Sequence, residues 1–182
     1  MQITGYDISS STLPQREYWP ANVSFSTLDC LNEQLPEDLV GIFDIVHLRM
    51  WALIVRDNDP GALIRNADRL LKPGGYLQWE DAPFKNVVAC GEAAIHVRDM
   101  MRAINCVTKI DFSWLENLET HIQIATSSPS LQVIDHQKTP WAPYLIPLCM
   151  NTFMLALESS GSMLDKLRLL APDPQVVPSQ AE

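Results

Sequence analysis

No stretch of this chain reaches the roughly 18 consecutive apolar residues that a membrane-crossing helix requires, so no membrane partner is expected. Basic clusters are missing as well. The 13 Lys and Arg residues are dispersed among 22 Asp and Glu, giving a formal net charge of −9. Phosphate binding needs a concentrated basic footprint, so nucleic acid is not expected as a partner. The four cysteines, Cys30, Cys90, Cys106 and Cys149, make no C-x-x-C pair and no zinc-finger spacing. They read as scattered thiols, with no metal site. The first residues have neither the basic nor the apolar region of an export signal, which makes the cytoplasm the expected location. Glycine is sparse: of seven, only Gly74 and Gly75 are adjacent, and no internal repeat is visible.

What is present describes an ordinary globular protein, with 47% apolar and 19% charged residues. A single domain is expected over 1–170, followed by a flexible tail over 171–182 that carries Pro172, Pro174 and Pro178. Strands are predicted over 2–8 and 23–28. A third runs from Ile42 to Leu48, where a near-continuous apolar run suggests a strand buried on both faces in a parallel sheet. Asp59-Pro60 opens a helix whose apolar positions Leu63, Ile64, Ala67, Leu70 and Leu71 recur at helical spacing. Lys72-Pro73-Gly74-Gly75 stops it, and Tyr76 to Trp79 form the next strand of a βαβ unit. Helices then carry Ile95, Met100, Met101, Ile104 and Val107, and next Leu115, Leu118, Ile122 and Ala125, with Ser113 and Glu116 as a capping box. A strand over 131–134, an apolar helix over 146–157 and a short helix from Ser162 complete the reading.

Ligands of an α/β sheet bind beyond the carboxyl ends of its strands. Those ends are Asp7, Asp29 with Cys30, His47 to Trp51, and Glu80 to Pro83. GYDIS at 5–9, VSFSTLDC at 23–30, FDIVHLRMW at 43–51 and LLKPGGYLQWEDAP at 70–83 occur in an order that resembles class I S-adenosylmethionine-dependent methyltransferases. The likeness is strongest to the fungal secondary-metabolism and LaeA-like group. It implies an incomplete Rossmann-like α/β fold, a mostly parallel sheet with flanking helices and extra C-terminal helices. It also implies that Asp7 accepts hydrogen bonds from the cofactor ribose, that Asp29 meets the adenine amino group, and that Cys30 flanks the purine. His47, Arg49, Trp51, Glu80 and Asp81 are the expected catalytic set.

The chain departs from that family in two places. The family's first strand and its G-x-G-x-G loop find no counterpart, and neither does its final antiparallel strand. The first strand normally lies mid-sheet, so its place has to be closed by direct pairing of its neighbours, by another chain, or by a segment outside this sequence. A homo-oligomer or a partner chain covering the sheet is therefore expected. The first functional expectation is a methyltransferase-like enzyme of secondary metabolism that does not methylate on its own. Such a protein would bind a small natural-product substrate and act as a cyclase or isomerase without S-adenosylmethionine. The alternatives are a methyltransferase completed by a partner chain or an upstream segment, and a non-catalytic interaction module.

Overall fold

The computed structural model describes residues 1–82, 90–126, 131–139 and 144. The chain divides into two compact units, Met1–Ile134 and Asp135–Glu182. The strands and helices that position the site belong to the first: β1 (Ile3–Asp7), β2 (Val23–Thr27), β3 (Phe43–Arg49), α1 (Gly61–Leu70), β4 (Leu71–Glu80), α2 (Glu92–Thr108), α3 (Ser113–Glu116) and α4 (Leu118–Ala125). Among the described residues, both strand pairs are parallel. β1 pairs with β2 in a register that sets Gly5 opposite Phe25, and β3 pairs with β4 with His47 opposite Gln78 and Arg49 opposite Glu80. A side chain at position 5 would meet the Phe25 ring, since a Cβ there would lie 2.6 Å from it. Glycine lets the two strands carry that ring between them.

The core lies on one face of the β3–β4 sheet. Leu48, Val55, Leu63, Ala67 and Trp114 are buried together, with Val46, Leu77 and Trp79 packed against them. A second cluster of Leu28, Leu35 and Leu70 takes in Tyr6, Phe43 and Val46. It joins the β1–β2 side of the unit to α1. The α1 helix has its apolar stripe where the periodicity puts it, with Leu63, Ile64, Ala67 and Leu70 all buried. The Asp59 carboxylate accepts a hydrogen bond from Gly61 N at 2.8 Å, which occupies one of the free donors at the helix start.

Several expectations are corrected. β3 is buried on one face only, because Ile45 and Tyr76, paired across the sheet, are 58% and 61% exposed. The KPGG run lies inside β4 rather than before it: Leu71 already pairs with Phe43, and a register shift absorbs the residues before Tyr76. Gly74 takes φ +81 there, a conformation open to glycine. The expected Ser113 capping box does not form. Asn58 Oδ1 instead accepts from Trp114 N at 2.7 Å and from Ser113 Oγ at 3.1 Å. The predicted helix carrying Leu115, Leu118, Ile122 and Ala125 is divided at Asn117 into α3 and α4. Residues 131–134 are not a strand, and Ile134 is 77% exposed. Among the described residues, no strand pairs with this short apolar run. The predicted helices over 146–157 and from Ser162, and the tail, lie outside the described residues.

Candidate functional site

The carboxyl ends of β1, β2 and β3 meet at one cavity of about 510 Å³. Each end is shaped by short-range hydrogen bonding. Past β1, Asp7 Oδ1 accepts from Ser9 N at 2.9 Å; past β2, Asp29 Oδ1 accepts from Leu31 N at 3.0 Å. Both are Asx-type turns, which an aspartate makes by bonding its own backbone two residues on. In each case one carboxylate oxygen fixes the turn, and both aspartates line the cavity.

Cys30 lies between them, half-buried, and Asn66 anchors the stretch that follows it. The Asn66 amide, itself 2% exposed, donates to Cys30 O at 2.9 Å and Asn32 O at 2.8 Å. Burial pushes the Cys30 thiol above its usual range, and the charges of Asp29 and Asp7 push it further. Tyr6 is raised as well, by burial first and then by Asp38 and Cys30. This end of the cavity thus favours neutral groups, or a ligand that donates hydrogen bonds to carboxylates.

The β3 end is built differently. Met50 follows the strand with φ 60 and ψ 38, a left-handed conformation uncommon for a residue with a side chain. The turn after it is held by Asp81, whose carboxylate accepts from Trp51 N at 2.9 Å, from Ala52 N at 3.0 Å and from Trp79 Nε1 at 3.2 Å. Trp51 lines the cavity as a result, together with His47 and Arg49. Glu80 stands beside those two on the exposed face of the sheet, its carboxylate 3.6 Å from His47 Nε2 and 4.0 Å from Arg49 Nε.

Of the sequence-predicted residues, Asp7, Asp29, Cys30, His47, Arg49 and Trp51 come together around one cavity. Glu80 reaches it through its contacts with His47 and Arg49. Asp81 is engaged in shaping the β3 turn. Sequence reasoning missed Asn66, whose single signal was a polar residue on the apolar stripe of α1. Among the described residues, no group of three or more His, Cys, Asp or Glu side chains is placed to hold a metal ion, and no helix is long and apolar enough to cross a membrane.

Residues 1–79 match the model of a methyltransferase domain family. A Penicillium protein described as methyltransferase grgD is 26% identical over 136 residues, which cover 75% of this chain and 46% of the relative. The chain therefore spans about half the length of that relative.

Proposed function

We propose, for a chain that belongs to the class I S-adenosylmethionine-dependent methyltransferase family, that the cavity binds the nucleoside half of that cofactor at its Asp7–Asp29 end and a small organic substrate at its His47–Trp51 end. The observation that carries this reading is the pair of carboxylates, each with one oxygen fixed by its own turn and both lining one cavity. Ribose hydroxyls and an adenine amino group are donors, and preset acceptors suit them. Leu28 and Leu31 supply apolar surface beside Asp29 for a purine. The residues present fit the nucleoside. When bound, the cofactor supplies an electrophilic sulfonium methyl group; the chain's part is to hold it and to orient the acceptor.

Calorimetric titration of the full chain with S-adenosylmethionine tests the assignment. Asp7→Ala should weaken binding by at least about fivefold, the equivalent of about 1 kcal/mol for a lost charged hydrogen bond. Unchanged affinity in that variant would remove Asp7 from the site.

A second reading is favoured by the His47, Arg49 and Glu80 cluster. An imidazole 3.6 Å from a carboxylate and a guanidinium 4.0 Å from it could move a proton and stabilise developing charge. Cyclisation or isomerisation of a secondary metabolite without S-adenosylmethionine would use those groups. Stoichiometric binding of S-adenosylmethionine in the titration speaks against that reading, and no binding speaks for it.

A further inference from the structure

We infer that Asn66 is a positioning residue for recognition of the adenine ring, acting through the peptide that joins Cys30 to Leu31. The inference rests on the nucleoside reading of the Asp7–Asp29 end and adds to it a residue that does not line the cavity. Asn66 sits on the buried stripe of α1, between Leu63 one turn before it and Leu70 one turn after. A polar side chain 2% exposed costs stability unless it is hydrogen-bonded. The Asn66 amide meets that requirement across the fold, donating to Cys30 O at 2.9 Å and to Asn32 O at 2.8 Å.

Those two bonds orient a turn. Asn32 N donates to Asp29 O at 3.2 Å, which makes Cys30 and Leu31 the central residues of a turn closed by Asp29 and Asn32. Across the planar trans peptide between them, carbonyl and amide point in opposite directions. With the Cys30 oxygen drawn to α1, the Leu31 N–H is turned to the other side, where Asp29 Oδ1 accepts it at 3.0 Å. The direction of the Asp29 carboxylate therefore depends on a side chain of α1.

The helix is a firm anchor. Its apolar stripe is buried, and it passes without a linker into β4, which pairs with β3. Arg65 and Arg69 also reach the loop from α1. They grip Glu33, at its carboxylate and its carbonyl, beyond the cavity-lining residues Leu28 to Leu31. Of the three, Asn66 is the one bonded to that lining stretch. Without it the Cys30–Leu31 peptide is free to rotate, and Asp29 loses the amide that holds one of its oxygens. The loss falls on the adenine amino group, because the ribose is met at Asp7, whose turn is closed separately by Ser9 N.

Titration of the full chain with adenosine and with purine riboside, the same nucleoside without its amino group, provides the test. The wild-type chain should bind adenosine at least about tenfold more tightly, the effect of one hydrogen bond to a charged group. Asn66→Leu keeps the volume of the side chain and removes its donors. It should cut that preference to below about threefold while binding purine riboside within about threefold of wild type. A merely structural role would weaken both nucleosides in parallel and leave their ratio unchanged. Asn66→Ser, which keeps a hydroxyl donor, should also lower the preference, and it serves if the leucine variant does not fold. Arg69→Ala, which frees Glu33 O, should retain the wild-type preference. Without ligand, residue-resolved hydrogen exchange should show the Leu31 amide at least about tenfold faster in Asn66→Leu, with the Ser9 amide unchanged. The inference is overturned by a preference that survives in Asn66→Leu, by parallel loss of both nucleosides, by an equal loss of preference in Arg69→Ala, or by unchanged Leu31 exchange. Equal binding of the two nucleosides by the wild-type chain also overturns it, and leaves the cavity a nucleoside site. Binding of neither removes the cofactor reading and the inference together, so the two failures are distinguishable.

Discussion

Asp81 shows how much one side chain can fix. Its carboxylate gathers the amides of Trp51 and Ala52 and the Trp79 indole, and so sets the direction in which the chain leaves β3. Replacing it by alanine strands those donors in a partly buried turn. Asp81→Ala should lower stability by about 3 kcal/mol in urea unfolding, and Asp81→Asn, which keeps one acceptor oxygen, should lower it by less. Cys30 gives a second prediction at this scale. Its thiol is half-buried beside two carboxylates, whereas Cys90 and Cys106 are exposed. Iodoacetamide at pH 8, followed by mass spectrometry, should label Cys90 and Cys106 about tenfold faster than Cys30, because the thiolate is the reacting form. The sign of the linked stability follows. A thiol whose folded value is raised contributes stability below the ordinary value of 9.0 and loses it as pH climbs through the folded value.

At the scale of the element, α3 is too short to hold itself. One turn of helix is unfavourable in isolation. It is held because Trp114 is fully buried against Trp79, with ring centroids 5.5 Å apart, and because Asn58 accepts from the Trp114 amide and the Ser113 hydroxyl. Trp114→Ala should cost about 3 to 5 kcal/mol by urea unfolding, the range for emptying a large aromatic site. Trp114→Phe should cost less than half of that, since it keeps most of the ring and removes an indole N–H that has no partner among the described residues. The β3–β4 sheet makes the complementary point. Val46, Leu48, Leu77 and Trp79 alternate onto the packed face, while Ile45, His47, Arg49, Tyr76 and Glu80 alternate onto the open one. The apolar residues Ile42, Phe43, Ile45, Val46 and Leu48 could not reveal that division, because a run without strict alternation fits a strand with both faces covered equally well.

For the whole unit, ligand binding and stability are linked. A molecule that binds only the folded chain stabilises it, by about 2.7 kcal/mol when present at 100 times its dissociation constant. S-adenosylmethionine should therefore raise the thermal midpoint of the wild-type chain. At the same concentration Asp7→Ala should show a smaller rise, and differential scanning fluorimetry reads both. An equal rise in the two proteins would place the nucleoside away from Asp7.

The sequence by itself determined the order of strands and helices through β4, the apolar stripe of α1 and the strand-end residues Asp7, Asp29, Cys30 and His47 to Trp51. Those depend on local periodicity, on turn chemistry and on motifs a few residues long. The tertiary structure alone decided that Asn58 caps α3 across 56 residues, that Asn66 pins the turn beyond Cys30, and that the carboxyl ends of β1, β2 and β3 line one cavity. Each of these is a meeting of backbone or polar groups distant in the chain. Hydrogen bonds of that kind leave no periodic trace in the sequence, because any polar residue of suitable reach can make them.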